Sequence, residues 1–258
     1  MSALTAEPTR IIAIRHGETD WNVSTRIQGH LNIALNPRGR WQATQLAQAL
    51  VDEPVTAIYA SDLARTWETA QALAQAQRRP IAPEVGLRER GFGAFEGRTF
   101  AEIEAELPDQ ALRWRRRDPN FAPPGGETLL ALRERVLEAA TRLAARHPGE
   151  LIALISHGGA MDVLYRAATR QAVDAPRTWA LGNAAINRLL WTPEGFSLVG
   201  WSDTRHLDGY SVLDDALLAN APRAHISRAA PNTLAHDLQT PAANDAAPQT
   251  TAWTGTQP

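Results

Sequence analysis

Two histidines stand among residues suited to handling a phosphoryl group. One lies in Arg15-His-Gly-Glu-Thr-Asp-Trp-Asn22 and the other in Ser156-His-Gly-Gly159. An imidazole can attack phosphorus only when neutral, and an adjacent guanidinium favours that form by disfavouring a second positive charge. Arg15 supplies such a charge beside His16 and, unlike a lysine, keeps it at any accessible pH. Gly17 is expected to clear space for a close-lying phosphate. His157, backed by the amides of Gly158 and Gly159, reads as a second phosphate contact whose imidazolium would strengthen as charge develops in a transition state. A histidine at a strand end is often only structural. The company these two keep favours chemistry.

Three further side chains join them. Arg65 follows Ser61-Asp-Leu-Ala, a string read as a helix start capped by Ser61. A cation in a first helical turn opposes the helix dipole, and a bound anion would offset that cost. The glycine-rich stretch Leu87-Arg-Glu-Arg-Gly-Phe-Gly-Ala-Phe-Glu-Gly97 carries two carboxylates, Glu89 and Glu96. Either could protonate a leaving oxygen and then activate water. The residues themselves do not choose between them.

These groups need a frame. Arg10–Ile14 and Leu151–Ile155 are short runs rich in β-branched residues, the pattern of buried parallel strands. His16 and His157 therefore fall at strand carboxyl ends, where open α/β sheets bind ligands. Asn36-Pro37 opens a helix with Ala43, Leu46, Ala47 and Leu50 on its inner face. Val55–Ala60 reads as a strand, followed by a helix with the stripe Leu63, Trp67, Ala70 and Leu73. A short strand is expected over Ile81–Val85. From Leu87 to Gly126 glycines and prolines break the pattern, leaving short helices near Phe100–Leu107 and Gln110–Arg117. A longer helix spans Thr128–Arg146, another Ala160–Ala168, and Ala184–Trp191 with Phe196–Trp201 forms a terminal strand pair. Trp41, Trp67 and Trp191 fall on core faces. The alternation predicts an α/β fold, three layers α/β/α, with a mainly parallel central sheet and a small helical cap insertion.

The expected organisation is an N-terminal extension over residues 1–9, a domain over 10–217 with its cap at about 90–126, and a low-complexity tail over 218–258. Composition narrows the function. A net charge of −2 argues against a nucleic-acid binder. No apolar run is long enough to span a bilayer, and Met1–Thr9 lacks the features of a signal peptide, so the expected compartment is the cytoplasm. Cysteine is absent and all 26 basic residues are arginine, which excludes thiolate sites, a lysine Schiff base and a lysine-bearing phosphate loop.

Taken together, RHGETDWN, Arg26-Ile-Gln-Gly-His30, Leu35-Asn36, Ser61-Asp-Leu-Ala-Arg-Thr66, Leu87-Arg-Glu89 and Ser156-His-Gly158 resemble the histidine phosphatase superfamily, in its phosphoglycerate-mutase-like branch. The resemblance runs from Ile11 to about Asp208. It implies His16 as the phosphorylated nucleophile, with Arg15, Arg65 and His157 around the phosphate. It also implies Glu89, rather than Glu96, as proton donor and acceptor, and Asn22, Gln28 and Gly158 as substrate contacts. No metal or other cofactor is implied. The partner would be a small phosphorylated metabolite, with a homodimer as one option for assembly. Where mutases of this branch carry E-R-H-Y-G and H-G-N-S-L-R, this chain has Glu89-Arg-Gly-Phe-Gly93 and His157-Gly-Gly-Ala-Met-Asp162, and its cap is short. Those departures favour a phosphomonoester hydrolase. The alternatives are a phosphoglycerate mutase and a non-catalytic phospholigand-binding protein. Arg113-Trp-Arg-Arg-Arg117 reads either as a site for a second anionic group or, more in keeping with its acidic neighbours, as a solvated helix face. Trp114, Phe92 and Phe95 are candidates for an apolar pocket wall.

Overall fold

A computed structural model describes residues 7–209. The expected tail over 218–258, and most of the N-terminal extension, lie outside them. Among the described residues the order is β1 (Thr9–Arg15), α1 (Asp20–Val23), α2 (Pro37–Ala49), β2 (Val55–Ala60), α3 (Ala64–Gln77), β3 (Ile81–Pro83), α4 (Phe100–Glu106), α5 (Pro108–Arg115), α6 (Leu129–Ala144), β4 (Leu151–Ser156), α7 (Gly158–Thr169), β5 (Ile186–Thr192) and β6 (Gly195–Asp203). The six strands form one sheet in the order β3-β2-β4-β1-β5-β6. β1, β2, β3 and β4 run parallel, and β5 and β6 add an antiparallel edge.

Side chains alternate across β1 as the pleat requires. Ile11 and Ala13 pack with Leu132, Val136 and Ala140 of α6 and Met161 and Leu164 of α7. Ile12 and Ile14 face Leu46 and Leu50, at the end of α2, and Ala70 and Leu73 of α3. The two clusters are the interfaces of a three-layer α/β/α stack. Trp67 and Trp191 pack against these clusters, whereas Trp41 is half-buried outside them. The chain leaves β1 toward the α2–α3 layer and leaves neighbouring β4 toward the α6–α7 layer. The carboxyl ends of β1 and β4 thus diverge, opening a crevice at a topological switch point.

Helix starts mostly follow local signals. Asn36 Oδ1 accepts from Gly39 N at 2.8 Å with Pro37 in the first turn, and Thr128 Oγ1 accepts from Ala131 N at 3.0 Å. α3 departs from this, and α5 and α7 also lack a side-chain cap bond. The N-cap of α3 is Leu63, without a side-chain cap bond, and Asn32 Oδ1 accepts from Ala64 N at 2.6 Å instead. Ser61 is not the cap, because the helix starts two residues further on than a Ser61 cap requires; its hydroxyl lies 2.8 Å from His157 Nε2. β3 stops at Pro83, earlier than expected, since Glu84 accepts from Gly86 N and begins a 3-10 turn over Val85–Leu87.

The insertion between β3 and α6 has its own small core. Phe95, Ile103, Ala111 and Phe121 are buried together, with Phe92, Phe100, Leu107 and Trp114 packed around them. The aromatic rings expected to wall a pocket hold the cap together instead: Trp114 lies 5.6, 5.7 and 5.3 Å from the rings of Phe92, Phe95 and Phe100. Buried Arg90 ties this core down by donating to the carbonyls of Glu127 and Phe121 at 2.8 and 2.7 Å. The arginine run is largely neutralised on the surface, Arg113 pairing with Asp118 and Arg115 with Glu104.

Candidate active site

His16 continues the β1 ladder, donating its backbone N–H to Ser156 O at 2.9 Å, and its ring is buried at the crevice. The ring's Nδ1 lies 2.6 Å from the carbonyl oxygen of Gly17. A carbonyl can only accept, so Nδ1 carries the proton and Nε2 keeps its lone pair. Burial, then Arg65, then Arg15, push the imidazole pKa well below 6.5, outweighing the opposing bond to Gly17. His16 is therefore neutral at physiological pH, with its free nitrogen fixed by hydrogen bonding.

His157 is the N-cap of α7, with its ring centroid 5.3 Å from that of His16 at an interplanar angle of 61°. Burial first, and then the charges of Arg65 and Arg15, lower its pKa well below 6.5 also. The imidazolium expected there is thus a neutral ring in this structure, buried beside two guanidiniums. Its Nε2 pairs with Ser61 Oγ, while Nδ1 is buried without a hydrogen-bond partner.

Arg15 and Arg65 are each anchored by protein carbonyls and each retain an unused donor. Arg15 Nη1 donates to Leu181 O. Arg65 donates to Leu31 O at 2.9 Å and Gly29 O at 2.8 Å, and burial lowers its pKa to about 10 despite the nearby carboxylates Glu89 and Glu96. The Nε atoms of both arginines are buried without a partner. Buried donors are almost always satisfied, so this set marks a place for an anion.

Glu89 comes from the turn after β3 and meets the start of α7. The amide of Gly159 donates to its Oε1 and Oε2 at 3.0 and 3.1 Å, and Arg90 N donates to Oε1 at 2.8 Å. A Cβ on Gly159 would lie 2.1 Å from Glu89 Oε1, whereas one on Gly158 would find ordinary contacts beside Arg15 and Glu89. Gly159 is therefore the glycine the carboxylate requires. Glu96 is occupied elsewhere: its Oε1 accepts from His30 N and Phe92 N, both at 3.0 Å. It clamps the loop.

Gly17 serves packing rather than ligand access. A Cβ there would lie 2.4 Å from Gly39 O, and one on Gly39 would lie 2.0 Å from Glu18 O. The loop after His16 is thus pressed backbone to backbone on the first turn of α2. Asn22 closes a capping box, accepting from Thr19 N and Oγ1 at 3.0 Å, so its remaining asset is an NH2 donor. Gln28 is buried, with Oε1 unpartnered.

Several supporting residues carry no local signature. Asn183 donates to His16 O at 2.9 Å, Thr69 Oγ1 accepts from Gly17 N at 3.0 Å, and His30 Nε2 donates to Glu89 O at 2.7 Å. All three are contacts between segments distant in sequence. No group of three or more His, Cys, Asp or Glu side chains suited to a metal ion occurs among the described residues. No helix among them is long and apolar enough to cross a membrane.

The chain resembles known proteins over most of this length. It is 34 % identical over 203 residues to phosphoglycerate mutase-like protein 4 of Arabidopsis thaliana, covering 77 % of this chain and 86 % of that one. It is 34 % identical over 211 residues to a metal-independent phosphoserine phosphatase of the same plant, covering 81 % and 87 %. A mycobacterial glucosyl-3-phosphoglycerate phosphatase solved in complex with VO3 superposes with a TM-score of 0.69 at 31 % identity, covering 76 % of this chain and 99 % of that one. Residues 11–204 match the pattern of the histidine phosphatase superfamily, branch 1. The chain therefore belongs to the histidine phosphatase superfamily.

Proposed function

We propose that the chain is a metal-independent phosphomonoester hydrolase working through a phosphohistidine on His16, with Glu89 as general acid and base. One observation carries this reading. The lone pair of His16 Nε2 is fixed by the bond from Nδ1 to Gly17 O, in a crevice that also buries the unused Nε donors of Arg15 and Arg65 and the unpartnered Nδ1 of His157. A relative named as a metal-independent phosphoserine phosphatase supports the reaction class.

The cycle has two displacements. Nε2 attacks phosphorus as the bond to the ester oxygen breaks, and the Glu89 carboxyl gives its proton to the departing alkoxide. Arg15 and Arg65 neutralise the phosphoryl oxygens and the His157 ring contacts them, with the NH2 groups of Asn22 and Gln28 and the amide of Gly158 completing the cradle. Water then attacks phosphorus, giving a proton to Glu89 as the P–N bond breaks. Phosphate departs and both residues return to their starting state. Splitting the displacement this way replaces one difficult step by two easier ones.

Rapid quench in alkali with a radiolabelled phosphoester tests the reading. Label retained by the wild type, labile to acid and absent from His16→Ala, is expected. Labelling undiminished in His16→Ala would overturn it. Transfer of the label within phosphoglycerate, with little release to water, would instead make the chain a mutase.

A further inference from the structure

Beside the phosphate crevice lies a cluster of arginines that the proposed hydrolysis leaves unused. Asp162, in the second turn of α7, is buried and faces three guanidiniums. Arg117 Nη2 and Arg166 Nε reach its Oδ2 at 2.7 and 2.9 Å, and Arg177 Nε lies 3.6 Å from its Oδ1. One carboxylate offsets one of these charges, so the cluster is strongly electropositive.

Two of the three arginines are structural. Arg166 donates to Ala172 O and to Ala175 O at 2.8 Å, and Arg117 donates to Val173 O at 3.1 Å from Nε and 3.0 Å from Nη2. Together they brace the segment after α7 along successive carbonyls. Arg117 adopts φ 54°, an uncommon backbone for a non-glycine residue, and so bridges the cap to this segment. The brace presents Arg177, whose side chain is 44 % exposed and makes no hydrogen bond among the described residues. The same segment then runs to Leu181, whose carbonyl holds Arg15, and to Asn183, which holds the His16 backbone. The positive charge of Arg177 is felt at Arg15 itself, adding to the lowering of its pKa that burial dominates.

A half-exposed guanidinium held only loosely by Asp162 stands next to a crevice already rich in positive charge. The free edge formed by its two terminal nitrogens matches a planar carboxylate. We propose that Arg177 receives a carboxylate on the leaving alcohol of the phosphoester, while the phosphoryl group occupies the crevice between His16, Arg15 and Arg65. The site is a specificity element of the hydrolase reading above and rests on it. The substrate class is then a small phosphomonoester bearing a second, carboxylate charge.

Esters that differ only in that group test the site: O-phosphoserine against O-phosphoethanolamine, and 3-phosphoglycerate against glycerol 3-phosphate. The wild type should favour the carboxylates in kcat/KM by roughly 10- to 100-fold, the range of one charge-assisted hydrogen-bonded contact. Arg177→Gln should remove the preference through KM for the carboxylates, leaving the other two esters within about twofold, and Arg177→Lys should restore part of it. Equal rates in the wild type, or an equal loss for all four esters in Arg177→Gln, would overturn the assignment. Calorimetric binding of the same pairs to His16→Ala protein reads the preference without turnover. A chain that hydrolyses none of the esters yet binds the carboxylates preferentially would retain the site and lose the hydrolase reading. One that shows no binding preference either would lose both.

Discussion

The backbone amide of Gly159 donates to both carboxylate oxygens of Glu89, joining the turn after β3 to the first turn of α7. That bond sets where the proposed acid and base stands relative to His16. It leaves no room for a side chain at position 159, where a Cβ would fall 2.1 Å from Glu89 Oε1. Gly159→Ala should therefore act like a mild loss of Glu89, lowering kcat by about 100-fold with little change in KM. Steady-state kinetics beside Glu89→Gln would check this. Activity close to wild type would mean that the carboxylate need not sit where it does.

Arg65 is tied by two bonds to the carbonyls of Gly29 and Leu31 while its Nε remains unused. Lysine keeps the charge but cannot hold both carbonyls and still face an anion. Arg65→Lys should cost roughly 100-fold in kcat/KM and about 1–3 kcal/mol in stability, since a buried carbonyl is left unpaired. Urea denaturation together with kinetics separates the two effects.

His16 and His157 are both held well below the ordinary value of 6.5, so between their folded values and 6.5 the unfolded chain binds protons that the folded chain refuses. Stability is then full above about pH 6.5 and declines as pH falls below it, by at most about 1.4 kcal/mol per pH unit for each ring. Urea midpoints from pH 7.5 down to 5.0 should show this slope, and His157→Gln should flatten it. A midpoint that rises on acidification would contradict the assigned direction.

Trp114 packs against Phe92, Phe95 and Phe100 in a core that belongs to the cap. Trp114→Ala should destabilise that core by about 3 kcal/mol or more. Hydrogen exchange should then speed up across residues 92–121 while the strands β1 and β4 keep their protection. Uniform loss of protection would show that cap and sheet unfold together.

The carboxyl ends of β1 and β4 are legible because each apolar run is short, carries β-branched residues and is followed, after one residue, by a histidine. Asn36-Pro37 is legible for a local reason also: cap and first turn lie within four residues. Ser61 misleads because a serine before a helical stripe looks like a cap, and only the fold brings His157 to its hydroxyl. Phe95 and Trp114 carry the same ambiguity, since the order of residues cannot tell a pocket wall from a small separate core. The choice between Glu89 and Glu96 is closed in the sequence only by resemblance. In the fold both carboxylates accept from backbone amides, and what differs is the place: Glu89 does so at the first turn of α7, next to His157, and Glu96 within the loop that carries His30 and Phe92. Asn183 and Arg177 gain meaning only through contacts with residues far away in the chain.

The glycine pair at 17 and 39 has a consequence for how the chain can vary. Each residue is hindered by main-chain atoms across the contact, and no change of a neighbouring side chain can move those atoms aside. A substitution at one position therefore cannot be rescued by a second at the other. The usual stepwise trade, in which one partner shrinks as the other grows, is closed here. Randomised libraries covering both positions together should return glycine at each, with no compensated pairs.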